Sequence, residues 1–189
     1  MSRICRRLSY VFVGLSLALA LSAGTWAEQP ISPKAQQRLE REVRHELIML
    51  PFYGVFDHLA FQVSGYDVVL TGQVTRPTLR SDAEQVVKRV EGVEQVTNNV
   101  EVLPLSPHDD RIRRAVYRAI YSETALQRYA LQAVPPIHII VNGGHVTLEG
   151  VVSNAAEMHL ANMQAQQVAG VFSVTRSCFK TWYKPLILL

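Results

Sequence analysis

At 189 residues, with 19 Lys and Arg against 16 Asp and Glu, the chain has a formal charge of +3. Three of those arginines and no acid fall within residues 1–27, so the rest holds sixteen of each sign, is neutral, and gives no ground for nucleic-acid binding. Of the two cysteines, Cys5 lies in that leading stretch, so Cys178 has no internal disulfide partner and stability must come from buried apolar surface.

Arg3, Arg6 and Arg7 precede an uncharged apolar run, Leu8 to Ala23, and Thr25-Trp26-Ala27 forms a small-x-small site before Glu28. This pattern predicts an export signal over residues 1–27, removed from the mature protein, and hence a periplasmic location. Retention as a membrane anchor is the alternative, but an apolar run of 16 residues is shorter than the roughly 20 that span a bilayer. Cys5 precedes the apolar run, where an acylated cysteine would not lie, so no lipid anchor is expected.

Ser32-Pro33 opens a helix whose apolar positions are Leu39, Val43, Leu47 and Leu50. An aromatic-rich connection, Leu50 to Phe56, follows and is assigned to the base of a core or the seam between domains, with an insertion loop or a partner-docking patch as the alternative. Phe61 and Val63 lie in a strand, Ser64-Gly65-Tyr66-Asp67 turns the chain, and Val68, Leu70, Gly72 and Val74 alternate along a second strand. Leu79, Ala83, Val86, Val87 and Val90 form one face of a helix started by Pro77 and stopped at Gly92, before a strand through Val93, Val96, Val100 and Val102. After a linker at 105–109 the order recurs. Ile112, Val116, Ala119 and Ile120 mark a helix from Asp110. A hairpin turns at Asn142-Gly143-Gly144, Asn154 with Glu157 starts the next helix, Gly170 stops it, and a last strand runs from Val171 to about Tyr183.

The recurrence is measurable. Val68–Val74 and Val146–Val152 are identical at four of seven positions, and Val90–Thr97 and Val168–Thr175 at five of eight. Both pairs share one displacement, which carries position 68 to 146 and position 90 to 168. That displacement is too long for a solenoid and indicates a duplicated domain. The expected architecture is α+β: two tandem αββαβ domains, 28–104 and 110–183, each a three-stranded mixed sheet with two helices on one face, and a tail at 184–189.

The Val-x-Leu-x-Gly-x-Val strand, the helix after it and the Val-x-Gly-Val-x-x-Val segment resemble the BON domain, over about Leu39–Leu103 and Asp110–Phe179. The resemblance implies the αββαβ fold and a periplasmic or cell-envelope setting. It also implies attachment to phospholipid or to envelope proteins, as in osmotic-stress-protective members, with no catalysis. The family's characteristic glycine falls at Gly72 and Gly150, where room for a packing helix is the expected reason for it.

The second domain's first helix is the candidate membrane-binding element. Asp110 to Ser122 carries Arg111, Arg113, Arg114 and Arg118 against one acid, with Tyr117 and Tyr121 continuing an i, i+4, i+8 stripe from Arg113. Arginine beside exposed tyrosine suits an anionic headgroup layer; a merely solvated helix face is the alternative. His45, His58, His108, His138, His145 and His159 show no ligand spacing, and no nucleophile–base set stands out. Neither a metal, a cofactor nor an enzymatic activity is expected. The expected partner is an anionic phospholipid surface or, alternatively, an envelope protein.

Overall fold

Ser32 accepts a hydrogen bond from the Ala35 amide and Pro33 occupies the first turn, which starts helix α1, Pro33–Ile48. The computed structural model describes residues 32–176 and 180–181; the expected export signal and the C-terminal tail lie outside them. Strands β1 (His58–Ser64) and β2 (Asp67–Val74) form an antiparallel hairpin, α2 (Pro77–Lys88) crosses over, and β3 (Gln95–Val102) returns parallel to β2. The second unit repeats this with α3 (Pro107–Tyr121), β4 (Ile137–Asn142), β5 (His145–Val152), α4 (Ala155–Gln166) and β6 (Ser173–Arg176). The two-residue β7, Lys180–Thr181, also runs parallel to β5, so the place of β3 is shared by two short strands. The continuous strand expected from Val171 to Tyr183 therefore begins at Ser173.

Pairing registers repeat at the displacement seen in the sequence. Leu59 faces Gly72 as Ile137 faces Gly150, and Val68 faces Val96 as Val146 faces Val174. Because side chains alternate along a strand, a shared register puts the same positions indoors in both copies. Leu39, Val43, Leu47, Val68, Leu70, Leu79, Val87 and Val100 build the first core. Ile112, Val116, Ile120, Ile139, Val146, Leu148, Ala161 and Ala165 build the second.

Three features differ from expectation. Helix α3 starts at Pro107, not Asp110, because Ser106 accepts the Asp109 amide and Pro107 fits the first turn; most of the predicted linker is helix. A 3₁₀ helix, Gln127–Leu131, lies between α3 and β4. Gly92 and Gly170 do not stop the helices, which close at Arg89 and Gln167; each occupies the third position of a following turn, Val90–Val93 or Val168–Val171, where positive φ is required.

The Leu50–Phe56 connection fills the seam between the domains. Val55 and Phe56 pack against the second core, and the Ile139 amide donates to the Val55 carbonyl at 2.8 Å, extending the β4 edge. Asp57, buried, fixes the other end by accepting from the Thr75 amide and hydroxyl at 2.7 and 2.8 Å.

Candidate functional site

Helix α3 turns Ile112, Val116 and Ile120 into the core, which places Arg111, Arg114 and Arg118 on the outside. These three guanidinium groups are exposed and make no ion pair or side-chain hydrogen bond among the described residues. In the equivalent helix of the first domain Arg38 pairs with Glu42 at 2.8 Å and Glu91 at 3.0 Å and Arg44 lies over the Phe61 ring, while Lys34 and Arg41 are exposed without an ion pair among the described residues. That helix differs in carrying Glu40, Glu42 and Glu46 among its cations.

The arginine ridge separates two grooves. One, of about 520 Å³, has Val55, Phe56, Tyr117 and Ala130 as its apolar part, with Arg114 and Arg118 at its side. Tyr117 is half-buried and meets the Phe56 ring edge-on at 6.2 Å, so this wall joins both domains. The other groove, of about 480 Å³, is bounded by His108, Arg111, Arg114, Arg118 and the Ala169-Gly170 turn. An apolar trough beside unpaired guanidinium groups is chemically suited to an anionic amphiphile.

Arg113 and Tyr121 are not part of this surface. Their stripe lies beside the Ile112–Val116–Ile120 stripe and falls into the crevice between α3 and β4. Arg113 is 4% exposed, binds Asp110, and donates to the Val141 carbonyl at 2.7 Å. Tyr121 is 5% exposed and donates to the Ile137 carbonyl at 2.8 Å, and burial pushes its hydroxyl pKa well above the ordinary value. Both brace α3 against the strand, so of the six residues expected to face a membrane only Arg111, Arg114, Tyr117 and Arg118 reach the outer surface of α3.

Gly72 and Gly150 sit at φ 123° and 136°, where a Cβ would overlap the carbonyl oxygens of His58 and Pro136. The close neighbour is the backbone entering the adjacent strand, not the packing helix as expected.

Polar residues hold the second domain, and of these the sequence singled out only Asn154 and Glu157, as a helix start. Buried Asp109 accepts the Gly143 and Gly144 amides, both at 2.9 Å, and so clamps the β4–β5 turn to α3. Burial alone would raise its pKa; those amides and the nearby Arg113 outweigh it and hold the carboxyl below its usual range. Glu157 accepts from Tyr129 at 2.6 Å and from Arg128, and its amide donates to Asn154 at 2.9 Å. The Asn154–Glu157 spacing carried that helix start; Arg128 and Tyr129 carried no local signal.

At the seam, His58 Nε2 lies 3.3 Å from Glu149, and the His58 and His138 rings are 5.8 Å apart, with Tyr53 against His138 at 5.6 Å. Burial lowers the His58 pKa. Burial, then His58, takes His138 from the usual 6.5 to about 4, against the pull of the Asp57 and Gly54 backbone and the Asp57 carboxylate. Among the described residues no group of three or more His, Cys, Asp or Glu could hold a metal ion, and no helix is long and apolar enough to cross a membrane.

The profile of the BON domain matches residues 36–104 and 108–177. No curated protein matches the chain. Two solved structures of CdsD, a structural protein of the Type III secretion system of Chlamydia trachomatis, are similar to it at 13% identity. One covers 76% of this chain and 92% of its own with a TM-score of 0.30. The other, a C-terminal domain, covers 76% and 96% with a TM-score of 0.27.

Proposed function

The chain belongs to the BON-domain family, and from that premise we propose that it is a non-enzymatic envelope protein that attaches peripherally to anionic phospholipid surfaces through α3. BON domains are associated with the envelope and with phospholipid binding, and proteins built from them are generally non-catalytic. The observation that carries the reading is the set of three exposed guanidinium groups, Arg111, Arg114 and Arg118, without acidic partners on the described surface. Each basic residue near an anionic leaflet contributes about 1 kcal/mol, so three supply weak, reversible and salt-sensitive attachment. The apolar groove beside them, floored by Phe56 and Tyr117, adds a place for the uppermost part of an acyl chain.

On this reading the N-terminal signal delivers the chain to the periplasm, and the tandem domains act in protection against envelope or osmotic stress. The test is a charge reversal, Arg111→Glu with Arg114→Glu and Arg118→Glu, in the form beginning at Glu28, which keeps every described residue. The side chains are exposed and unpaired, so thermal unfolding should be unchanged while sedimentation with phosphatidylglycerol vesicles is lost. Vesicle binding retained by the folded triple variant would contradict the assignment to α3. A salt-tolerant complex with an envelope protein, formed without any lipid binding, would replace the lipid reading by protein docking.

A further inference from the structure

Residues Leu47 to Phe56 form an uncharged ten-residue run, LIMLPFYGVF. Its inward members have partners: Leu47 and Leu50 in the first core, Val55 and Phe56 against the second. Ile48, Met49 and Phe52 are left outside, 49%, 67% and 71% exposed. Phe52 also stands at φ 68°, the single non-glycine residue with positive φ among those described. The cause is a turn closed by the Tyr53 amide on the Leu50 carbonyl at 3.3 Å, with Pro51 second and Phe52 third. That third position ordinarily holds glycine, because a Cβ is strained there. A bulky aromatic at such a site gains no packing in the core that would offset the strain. It gains display: the ring projects into solvent with the Arg76 guanidinium stacked on it at 4.7 Å. Arg76 makes no ion pair among the described residues, so its charge is available to an anion.

We infer that this turn is a second membrane contact, in which Phe52, Met49 and Ile48 enter the interfacial layer of an anionic bilayer while Arg76 meets its phosphates. The inference rests on the lipid-surface reading above and adds an inserted apolar anchor to an electrostatic one. A projecting aromatic and two exposed apolar side chains suit a soft acceptor that imposes no shape. The unpaired Arg76 makes that acceptor anionic. The same segment continues to Phe56, which walls the groove beside Arg114 and Arg118.

The test uses Phe52→Gly in the form beginning at Glu28, with phosphatidylglycerol vesicles across a salt series. Glycine relieves the backbone strain, so the melting temperature should not fall. Vesicle affinity should drop about tenfold, the factor expected when one large apolar side chain no longer leaves water. Because no charge is removed, the dependence of affinity on salt should keep its slope, whereas Arg76→Gln should lower it. Unchanged affinity for Phe52→Gly, with the parent protein binding, would overturn the inference alone and leave the patch to a protein partner. A lowered melting temperature would also overturn it, by making Phe52 a structural residue. A parent protein that fails to bind would overturn the lipid-surface reading and this inference together.

Discussion

At Gly72 and Gly150 a neighbouring carbonyl oxygen occupies the space that a Cβ would need. A glycine inside an apolar strand signals a close approach, but nothing local says what approaches. The neighbour is a carbonyl at the entry to the preceding strand in each copy, at His58 and Pro136. Backbone cannot swing aside, and φ is positive at both sites, so Gly72→Val or Gly150→Val should cost about 3 kcal/mol or more by urea denaturation. His138 is a residue whose chemistry the sequence could not reveal, because its pKa is set by burial and by His58 from the other domain. The unfolded imidazole takes up a proton near pH 6.5 and the folded one near 4. Between these values the unfolded state binds the extra proton, so stability is full above about pH 6.5, declines as pH falls, and levels off below about 4. The groups around it are His58, Glu149, Asp57 and Tyr53, and burial also lowers His58, which acts in the same direction. The loss should reach at most about 3 kcal/mol for His138, and His138→Phe should make the stability profile between pH 7 and 4.5 shallower, leaving the part due to His58.

At the scale of elements, helix α3 was legible in its apolar stripe and in part of its charge. The pattern i, i+4, i+8 outruns the helical turn and drifts around the axis, so Arg113, Tyr117 and Tyr121 could not be placed on the solvent side from spacing alone. Arg113 and Tyr121 meet carbonyls of β4. Asp109 was missed for a related reason: it lies in a stretch that reads as linker and acts on a turn 34 and 35 residues away. It accepts two buried amides, so Asp109→Ala leaves both donors unpaired and should cost about 3 kcal/mol. Hydrogen exchange should then show the Gly143-Gly144 turn and the ends of β4 and β5 losing protection first. Equal loss of protection in α4 would contradict the clamp.

At the scale of the whole molecule, duplication was legible because a domain fold is written in local periodicity, and the displacement between the repeated segments reappears in the strand registers. How the two copies meet was legible only in the Leu50–Phe56 connection; the side chains it meets on the second core lie on separate elements and carry no local signal. Phe56 belongs to the first domain by sequence and packs on the second core. Phe56→Ala should therefore destabilise the second domain by about 2 kcal/mol, less than a fully buried phenylalanine would cost because the ring is half-buried. Exchange of α3 and β4 amides reports it. The central claim is that this molecule is held on anionic membrane surfaces by a ridge of unpaired arginines. Its most direct test is co-sedimentation of residues 28–189 with phosphatidylglycerol and with phosphatidylcholine vesicles across a salt series. The account predicts binding to the anionic vesicles alone, falling steeply as salt rises; equal binding to both, or none at any salt, would contradict it.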